Sequence, residues 1–268
     1  MEAGGNLIDT AGNYAEGTSE KYNGEFVDSN RDYFILATKF SLRARGDNPK
    51  DPNTGGNSRK NLMRSVESSL ERLNTDYIDL LYLYVWDYTT PLNEVMRALD
   101  DLVRAGKVHY IGFSDTPAYN VSKANMFADS HALTPITAIL VPYNVLRWDP
   151  ERELFPMAKA EDVAVTTWGM VGGGVFTRKY EVQDSEKRFE RASEEALATA
   201  EKIVEISKEI GRSPAQVAIN WVWQQQAKAQ IIPILGARSA QQLEDNLGVL
   251  DFVSSSNQLE ELAGFTDF

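Results

Sequence analysis

The chain has 268 residues, no cysteine, two histidines and a formal net charge of −12, with 27 basic against 39 acidic residues. Without cysteine there can be no disulfide, thiolate metal site or cysteine nucleophile, and two histidines disfavour a multi-histidine metal site, so we expect no metal. The acidic balance disfavours nucleic acid as a partner, because phosphate binding needs a positive surface.

The predicted strands are seven short apolar runs, most of them apolar on both faces, as expected for parallel strands covered by helices. In chain order they are 6–9, 33–38, 78–83, 108–113, 136–141, 163–167 and 230–235.

Helix signals lie between these strands. They are an N-cap at Ser58, an N-cap at Thr90 with Pro91 as the first helical residue, a stop at Gly106, a stop at Gly211, a capping box from Ser213 to Gln216, and a C-terminal helix at about 257–263.

Repeated strand–helix units at this length predict an α/β fold, either a (β/α)-barrel or a doubly wound sheet. No Gly-x-Gly-x-x-Gly follows a strand, which weakens the second alternative. The chain has no long flexible linker, so we expect one domain over 1–268. The stretches 47–56 and 181–195 are predicted to be long loops, either functional or plain surface insertions.

No membrane or export signal is visible in the sequence. No apolar run reaches the roughly 18–20 residues that a spanning helix needs, and the first ten residues lack the basic-then-apolar pattern of a signal peptide. We therefore expect a cytoplasmic protein with no membrane partner.

Three residues at strand ends point to proton chemistry. Lys39 ends an apolar strand, where a charge is costly unless paired, and Asp9 at the end of the neighbouring strand is the obvious partner. A nearby ammonium favours the phenolate of Tyr14, which would make this phenol a better proton donor near neutrality. The alternative is a buried ion pair beside a surface tyrosine.

Five motifs in order make the chain resemble the aldo-keto reductase superfamily over nearly its whole length. They are DTAxxY from Asp9, the strand-end Lys39, DYIDL from Asp76, GKVxYIGxS from Gly106, and IPIxGARxxxQLxxN from Ile232. The resemblance implies a (β/α)8 TIM-type barrel that reduces an aldehyde or ketone with NADP(H), without metal, and with a tyrosine as general acid.

The resemblance also implies roles for individual residues. Asp9, Tyr14 and Lys39 match three of the four catalytic positions. The implied cofactor-binding residues are Ser114, Asp115, Leu140, Trp168, Gly169, Val171, Gly236, Arg238, Gln242 and Asn246. A guanidinium can bind phosphate through two parallel hydrogen bonds, so Arg238 favours NADP over NAD.

Three departures from the family pattern matter. Tyr84 stands where the family has a catalytic histidine, so we expect weakened or redirected activity. Leu140 stands in place of a glutamine beneath the nicotinamide. Only eight residues precede Asp9, so the first β-α unit of the barrel is apparently missing. Either Met1 is an internal start of a longer protein, or distortion or self-association repairs a seven-stranded barrel.

The sequence thus predicts an NADP(H)-dependent carbonyl reductase acting on a small-molecule carbonyl or alcohol, with Asp9, Tyr14, Lys39 and Tyr84 as its catalytic residues. The runner-up is a catalytically impaired nucleotide-binding or regulatory protein on the same barrel, as in the potassium-channel β-subunits. A third reading, another barrel enzyme using only the phosphate site, leaves Trp168 unexplained.

Overall fold

A computed structural model describes residues 4–43, 50–177 and 193–263 of the chain. The chain divides into two compact units, the first formed by residues 1–140 and 161–163 and the second by residues 141–160 and 164–268. A single domain over the whole chain stays a prediction.

The first unit is built on five parallel strands in sequence order, and the first four are each followed by a helix of the same unit. The strands are β1 (Leu7–Asp9), β2 (Ile35–Phe40), β3 (Ile78–Leu83), β4 (Val108–Ser114) and β5 (Ile136–Pro142), whose last two residues belong to the second unit. The helices are α1 (Thr18–Val27), α2 (Arg59–Leu73), α3 (Leu92–Arg104) and α4 (Ala118–His131). This alternation is the predicted α/β architecture.

The second unit contains a parallel pair of strands, β6 (Ala164–Trp168) and β7 (Ile231–Pro233). Its helices are α5 (Leu154–Ala160), α6 (Glu194–Ile210), α7 (Pro214–Trp223), α8 (Ala240–Leu247) and α9 (Ser256–Ala263). Aromatic side chains fill its interior, and the rings of Tyr143 and Trp221 lie 5.5 Å apart between centroids.

The strand register of the first unit brings chemically interesting residues to one edge. Asp9 pairs with Ala37, Lys39 with Tyr82, and Ser114 with Leu140. Since all five strands are parallel, their carboxyl ends meet at the same edge, where α/β folds build their active sites.

All seven predicted strands are confirmed, with shifted ends. β2 ends at Phe40, two residues further than predicted, so Lys39 is the last residue but one of the strand rather than its end. The helix caps at Ser58 and Ser213 are confirmed, and Ser213 forms the complete capping box with Gln216. The predicted C-terminal helix is confirmed as α9.

One predicted helix start is wrong by one residue. Pro91 is the N-cap of α3 and Leu92 its first helical residue, whereas the sequence predicted Thr90 as the cap. The Thr90 hydroxyl instead donates a 2.7 Å hydrogen bond to the Asp87 carboxylate, so it is not available to cap the helix.

The two predicted long loops are only partly covered by the structure. In the first, residues 50–56 contain no helix or strand, and 44–49 lie outside the described residues. In the second predicted loop, residues 181–192 lie outside the described residues, and Glu194 and Glu195 belong to α6. No helix in the described ranges is long and apolar enough to cross a bilayer.

Candidate active site

Lys39 and Asp9 form a buried ion pair at the carboxyl edge of β1 and β2. Lys39 Nζ donates a 2.5 Å hydrogen bond to Asp9 Oδ2 and a 2.8 Å bond to the carbonyl oxygen of Thr10. The Lys39 side chain has no exposed surface and that of Asp9 is 9% exposed. The predicted pairing of these two residues is therefore present in the structure.

Burial controls the ionisation of both groups. Each charge loses water, so burial lowers the pKa of Lys39 and raises the pKa of Asp9, while their mutual attraction opposes both shifts. Within the described part of the chain, Asp9 Oδ1 is buried and has no hydrogen-bond partner. Asp9 therefore depends on Lys39 for compensation of its buried charge.

Tyr14 lies beside this pair on a strained loop. Ala15 and Glu16 follow it with φ of 45° and 59°, in the left-handed region that non-glycine residues rarely adopt. Lys39 Nζ lies 4.9 Å from the centroid of the Tyr14 ring, so the ammonium faces the ring rather than the hydroxyl. Such strain at a site with this chemistry is typical of a functional loop.

The hydroxyl of Tyr14 is hydrogen-bonded to that of Tyr84, at 3.1 Å. Tyr84 directly follows β3, and its backbone N–H donates to the carbonyl oxygen of Phe40 at the end of β2. The two rings meet edge to face, with centroids 6.3 Å apart. Tyr14 is 36% exposed, so a small molecule can reach the pair of hydroxyls.

The expected effect of Lys39 on Tyr14 is not what the structure gives. The pKa of Tyr14 is raised, first by burial, then by its hydrogen bond to Tyr84 and by the negative charges of Asp9 and Asp115. Lys39 Nζ donates its hydrogen bonds to Asp9 and Thr10, and burial decides the direction of the pKa shift of Tyr14. Tyr14 therefore keeps its proton at neutral pH.

Three of the predicted cofactor-binding residues lie at the ends of β4 and β5 in the same unit. Ser114 and Leu140 are adjacent in the strand register and almost fully buried. Asp115 has a φ of 39°, and its carbonyl oxygen accepts a hydrogen bond from Trp86 N–H in the loop after β3. The Leu140 side chain has no hydrogen-bonding group, so it can make only apolar contacts where the family pattern has a glutamine.

Asp87 is an organising residue to which sequence reasoning assigned no role. Its carboxylate accepts hydrogen bonds from the backbone N–H groups of Thr89, Thr90 and Asn57, and from the Thr90 hydroxyl. These bonds tie the loop after Tyr84 to the segment that leads into α2. The signal was present in the sequence as an aspartate three residues before the Thr-Pro that precedes α3.

In the second unit, Trp168, Gly169 and Val171 lie at and just after the end of β6. The Trp168 side chain is 44% exposed. The carbonyl oxygen of Gly169 accepts a 3.0 Å bond from the Asn144 side chain, and that of Val171 accepts a 2.9 Å bond from Gly174 N–H. An exposed indole at the end of a strand is suited to stacking on a planar ring.

A second group in this unit surrounds the start of α8. Gln242 Oε1 accepts a 3.0 Å bond from the backbone N–H of Arg238, and Asn246 Nδ2 donates to the Gly236 carbonyl oxygen at 3.3 Å. Ser239 caps the helix. In the described ranges, Arg238 is exposed and its guanidinium has no hydrogen-bond or ion-pair partner.

This donor set fits a phosphorylated nucleotide. An unpaired guanidinium beside a capped helix N-terminus favours an anion, because both present N–H donors and positive charge. A Cβ added at Gly236 would meet no atom within 4 Å, so the backbone there is open to a ligand. Gln242 and Asn246 act on the loop through its backbone.

The predicted site residues thus fall into two groups. The structure brings together Asp9, Tyr14, Lys39 and Tyr84 in the first unit, with Ser114, Asp115 and Leu140 at neighbouring strand ends, and places Trp168, Gly169, Val171, Gly236, Arg238, Gln242 and Asn246 in the second. In the part of the chain that the structure describes, no cluster of three or more His, Asp or Glu side chains could hold a metal ion.

Comparison with known proteins assigns the chain to a family. The Aldo/keto reductase family model matches residues 1–267. A norsolorinic acid reductase of Aspergillus flavus is 35% identical over 265 residues, which cover 97% of this chain and 68% of that protein. A putative aryl-alcohol dehydrogenase of Saccharomyces cerevisiae is 37% identical over 283 residues, covering 100% and 74%. A norsolorinic acid reductase of Emericella nidulans is 38% identical over 266 residues, covering 97% and 68%.

The chain therefore belongs to the aldo/keto reductase family of oxidoreductases, as its motifs predict. The family fold is a (β/α)8 barrel, and its members use a nicotinamide dinucleotide. In the described residues, the first unit contributes five parallel strands and the second a parallel pair, with helices between them, in agreement with that α/β architecture.

Proposed function

We propose that this protein is an NADP(H)-dependent carbonyl reductase that converts an aldehyde or ketone to an alcohol. The observation that carries the proposal is the contact between the hydroxyls of Tyr14 and Tyr84 beside the buried Lys39–Asp9 pair. The names of the relatives, norsolorinic acid reductases and aryl-alcohol dehydrogenases, favour an aromatic carbonyl substrate.

Tyr14 is the proton donor in this proposal. Its raised pKa keeps the phenol protonated at neutral pH, and an alkoxide oxygen is basic enough to take that proton. Lys39 and Asp9 form a buried, charge-compensated pair beside Tyr14, and Lys39 Nζ lies 4.9 Å from the centroid of the Tyr14 ring. The bound nicotinamide dinucleotide supplies the hydride that reduces the carbonyl carbon.

Tyr84 is the second hydrogen-bond donor to the carbonyl oxygen. It takes the position of the family histidine, and its hydroxyl already lies 3.1 Å from that of Tyr14. Two hydroxyls this close can both reach one oxygen atom. A phenol donates one hydrogen bond, as a neutral imidazole does, so the pair of donors is preserved.

The residues proposed to bind the cofactor are those that the family resemblance implies within each unit. Ser114 and Asp115 would bind the nicotinamide carboxamide, Trp168 would stack on the ring, and Arg238 would bind the 2′-phosphate that distinguishes NADP from NAD. Gly169, Val171, Gly236, Gln242 and Asn246 would shape the backbone around the rest of the nucleotide. Leu140 would replace a cofactor hydrogen bond with an apolar contact, at a cost of roughly 0.5–1.5 kcal/mol.

The test is NADPH consumption by the purified chain with aromatic aldehydes and ketones. Tyr14→Phe should abolish turnover and leave the NADPH dissociation constant within about threefold of the parent, since the hydroxyl acts on the substrate. Tyr22→Phe, an exposed tyrosine on α1, is the matched control and should change neither. Turnover that survives Tyr14→Phe would refute the proposal.

A catalytically impaired nucleotide-binding or regulatory protein is the second candidate. The observation that favours it is the Tyr14–Tyr84 bond, which engages the acid with another phenol and raises its pKa. This candidate predicts NADPH binding without turnover of any carbonyl tested. Tyr84→His would then restore turnover if the missing imidazole were the cause.

Self-association and a cytoplasmic location remain part of the proposal. Exposed aromatic side chains on α1, Tyr22 and Phe26, support self-association, because they lie one turn apart on one face of that helix. Light scattering of the purified chain gives the oligomeric state.

A further inference from the structure

A second buried ion pair lies beside the Tyr14 loop. Glu20, in the first turn of α1, has no exposed surface. Its Oε2 accepts a 2.6 Å hydrogen bond from Arg72 Nε near the end of α2, and its Oε1 accepts a 2.6 Å bond from the Thr38 hydroxyl in β2. This pair, Glu20–Arg72, touches neither the Tyr14 hydroxyl nor Lys39 Nζ through a hydrogen bond.

The loop that carries Tyr14 rests on Arg72 through two glycines. A Cβ added at Gly12 would lie 3.0 Å from Arg72 Nη2, and one added at Gly17 would lie 2.8 Å from Arg72 Cδ. Gly17 also has a φ of 86°. The Arg72 side chain therefore packs closely against both glycines, one on either side of Tyr14 in the loop.

The Glu20–Arg72 pair is also connected to Lys39, through Thr38 and Thr10. Thr38, which donates to Glu20, immediately precedes Lys39 in β2. Ser19, the neighbour of Glu20, shares a 2.8 Å hydrogen bond with the Thr10 hydroxyl, and the Thr10 carbonyl accepts from Lys39 Nζ. One buried carboxylate thus connects the proton-donor loop with the strand that carries the lysine.

We propose that Glu20 and Arg72 are positioning residues that hold Tyr14 in register with Lys39. This inference rests on the function proposed above. The Arg72 side chain packs against the loop at Gly12 and Gly17. Glu20 fixes the orientation of the Arg72 guanidinium, and the hydrogen bond from Thr38 holds Glu20 against β2. The negative charge of Glu20 also favours the charged form of Lys39, raising its pKa against the effect of burial.

A purely structural role predicts a different outcome from a positioning role. Glu20→Gln or Arg72→Met alone leaves a charge without its partner, so either variant should be clearly destabilised. The double variant Glu20→Gln/Arg72→Met removes both charges and should recover most of the thermal midpoint. If the pair serves stability alone, kcat should recover with it.

The positioning role predicts that kcat does not recover. In the folded double variant, kcat should remain about 10- to 100-fold below the parent, because misplacement of a catalytic group by about 1 Å can cost about 100-fold in rate. The NADPH dissociation constant should stay within about threefold. The matched control is Arg31→Met/Asp79→Asn, which removes a 2.6 Å ion pair near the amino ends of β2 and β3, far along the strands from Lys39. It should leave kcat within about threefold.

A measurement without turnover separates this inference from the proposed function. Incorporation of 3-fluorotyrosine at Tyr14 reports the position of the ring by ¹⁹F NMR. The resonance should shift or broaden in the double variant and stay in place in the control. If the double variant does not fold, Arg72→Lys takes its place, since lysine keeps the charge but loses the Nε bond to Glu20.

An unchanged ¹⁹F resonance, a kcat within threefold of the parent, or a loss confined to NADPH binding would each overturn the positioning role. If the parent protein shows no carbonyl reduction at all, the proposed function fails, and the ¹⁹F measurement alone decides whether the pair positions Tyr14.

Discussion

The Asp87 carboxylate should make a pH-dependent contribution to stability. Burial on its own would raise the pKa of Asp87, but the hydrogen bonds from Thr90, Asn57 and Thr89 outweigh burial and lower it to about 2. Relative to the usual pKa of 3.8, this lowering corresponds to a contribution of about 2.4 kcal/mol to the free energy of unfolding at pH 7. Asp87 is partly exposed, and solvent screening reduces the figure to about 1 kcal/mol.

The sign of the pH dependence follows from the direction of the shift. A carboxyl with a lowered folded-state pKa contributes its full stabilisation above its unfolded-state pKa of 3.8. The contribution declines as the pH falls, reaching about half near pH 3, and is nearly gone at about pH 2. Asp87→Asn should therefore lower the free energy of unfolding by about 1 kcal/mol at pH 7 and by about half of that at pH 3.

The assay is urea denaturation of the parent and Asp87→Asn at both pH values, followed by tryptophan fluorescence. Asp101→Asn is the control, because Asp101 is a half-exposed partner of Arg59 on the surface and should change stability by less than about 0.5 kcal/mol. Equal stability of the parent and Asp87→Asn at pH 7, or a difference that is the same at pH 7 and pH 3, would refute the reasoning.

Three further predictions concern the site. Tyr84→Phe should lower kcat by about 100-fold, the typical effect of losing one oxyanion donor, with NADPH affinity unchanged; steady-state kinetics that match the parent would remove Tyr84 from the site. Arg238→Ala should reduce the difference between the NADPH and NADH dissociation constants measured by fluorescence titration. An unchanged ratio of the two constants would contradict binding of the 2′-phosphate by Arg238. Lys39→Met should lower the free energy of unfolding by about 3–5 kcal/mol, because buried Asp9 loses its partner. Adding Asp9→Asn should recover much of this loss. A denaturation midpoint of Lys39→Met equal to the parent's would contradict the dependence of Asp9 on Lys39.

Local signals in the sequence were enough for the elements of the fold and for part of the site. Apolar runs located the seven strands, and the Ser213 capping box and the Gly211 stop located helix ends, because these features depend on residues close together in the chain. The pairing of Lys39 with Asp9 was also predictable, since consecutive parallel strands are neighbours and a buried lysine requires a partner.

Only the tertiary structure decided how the side chains of the candidate site face one another. Lys39 was expected to lower the pKa of Tyr14, but its ammonium is turned toward Asp9 and Thr10, and burial raises that pKa instead. The support of the Tyr14 loop by Arg72 and Glu20 joins residues 52 positions apart. Such contacts depend on side-chain direction and on distances across the fold, which residue type and spacing along a chain do not encode.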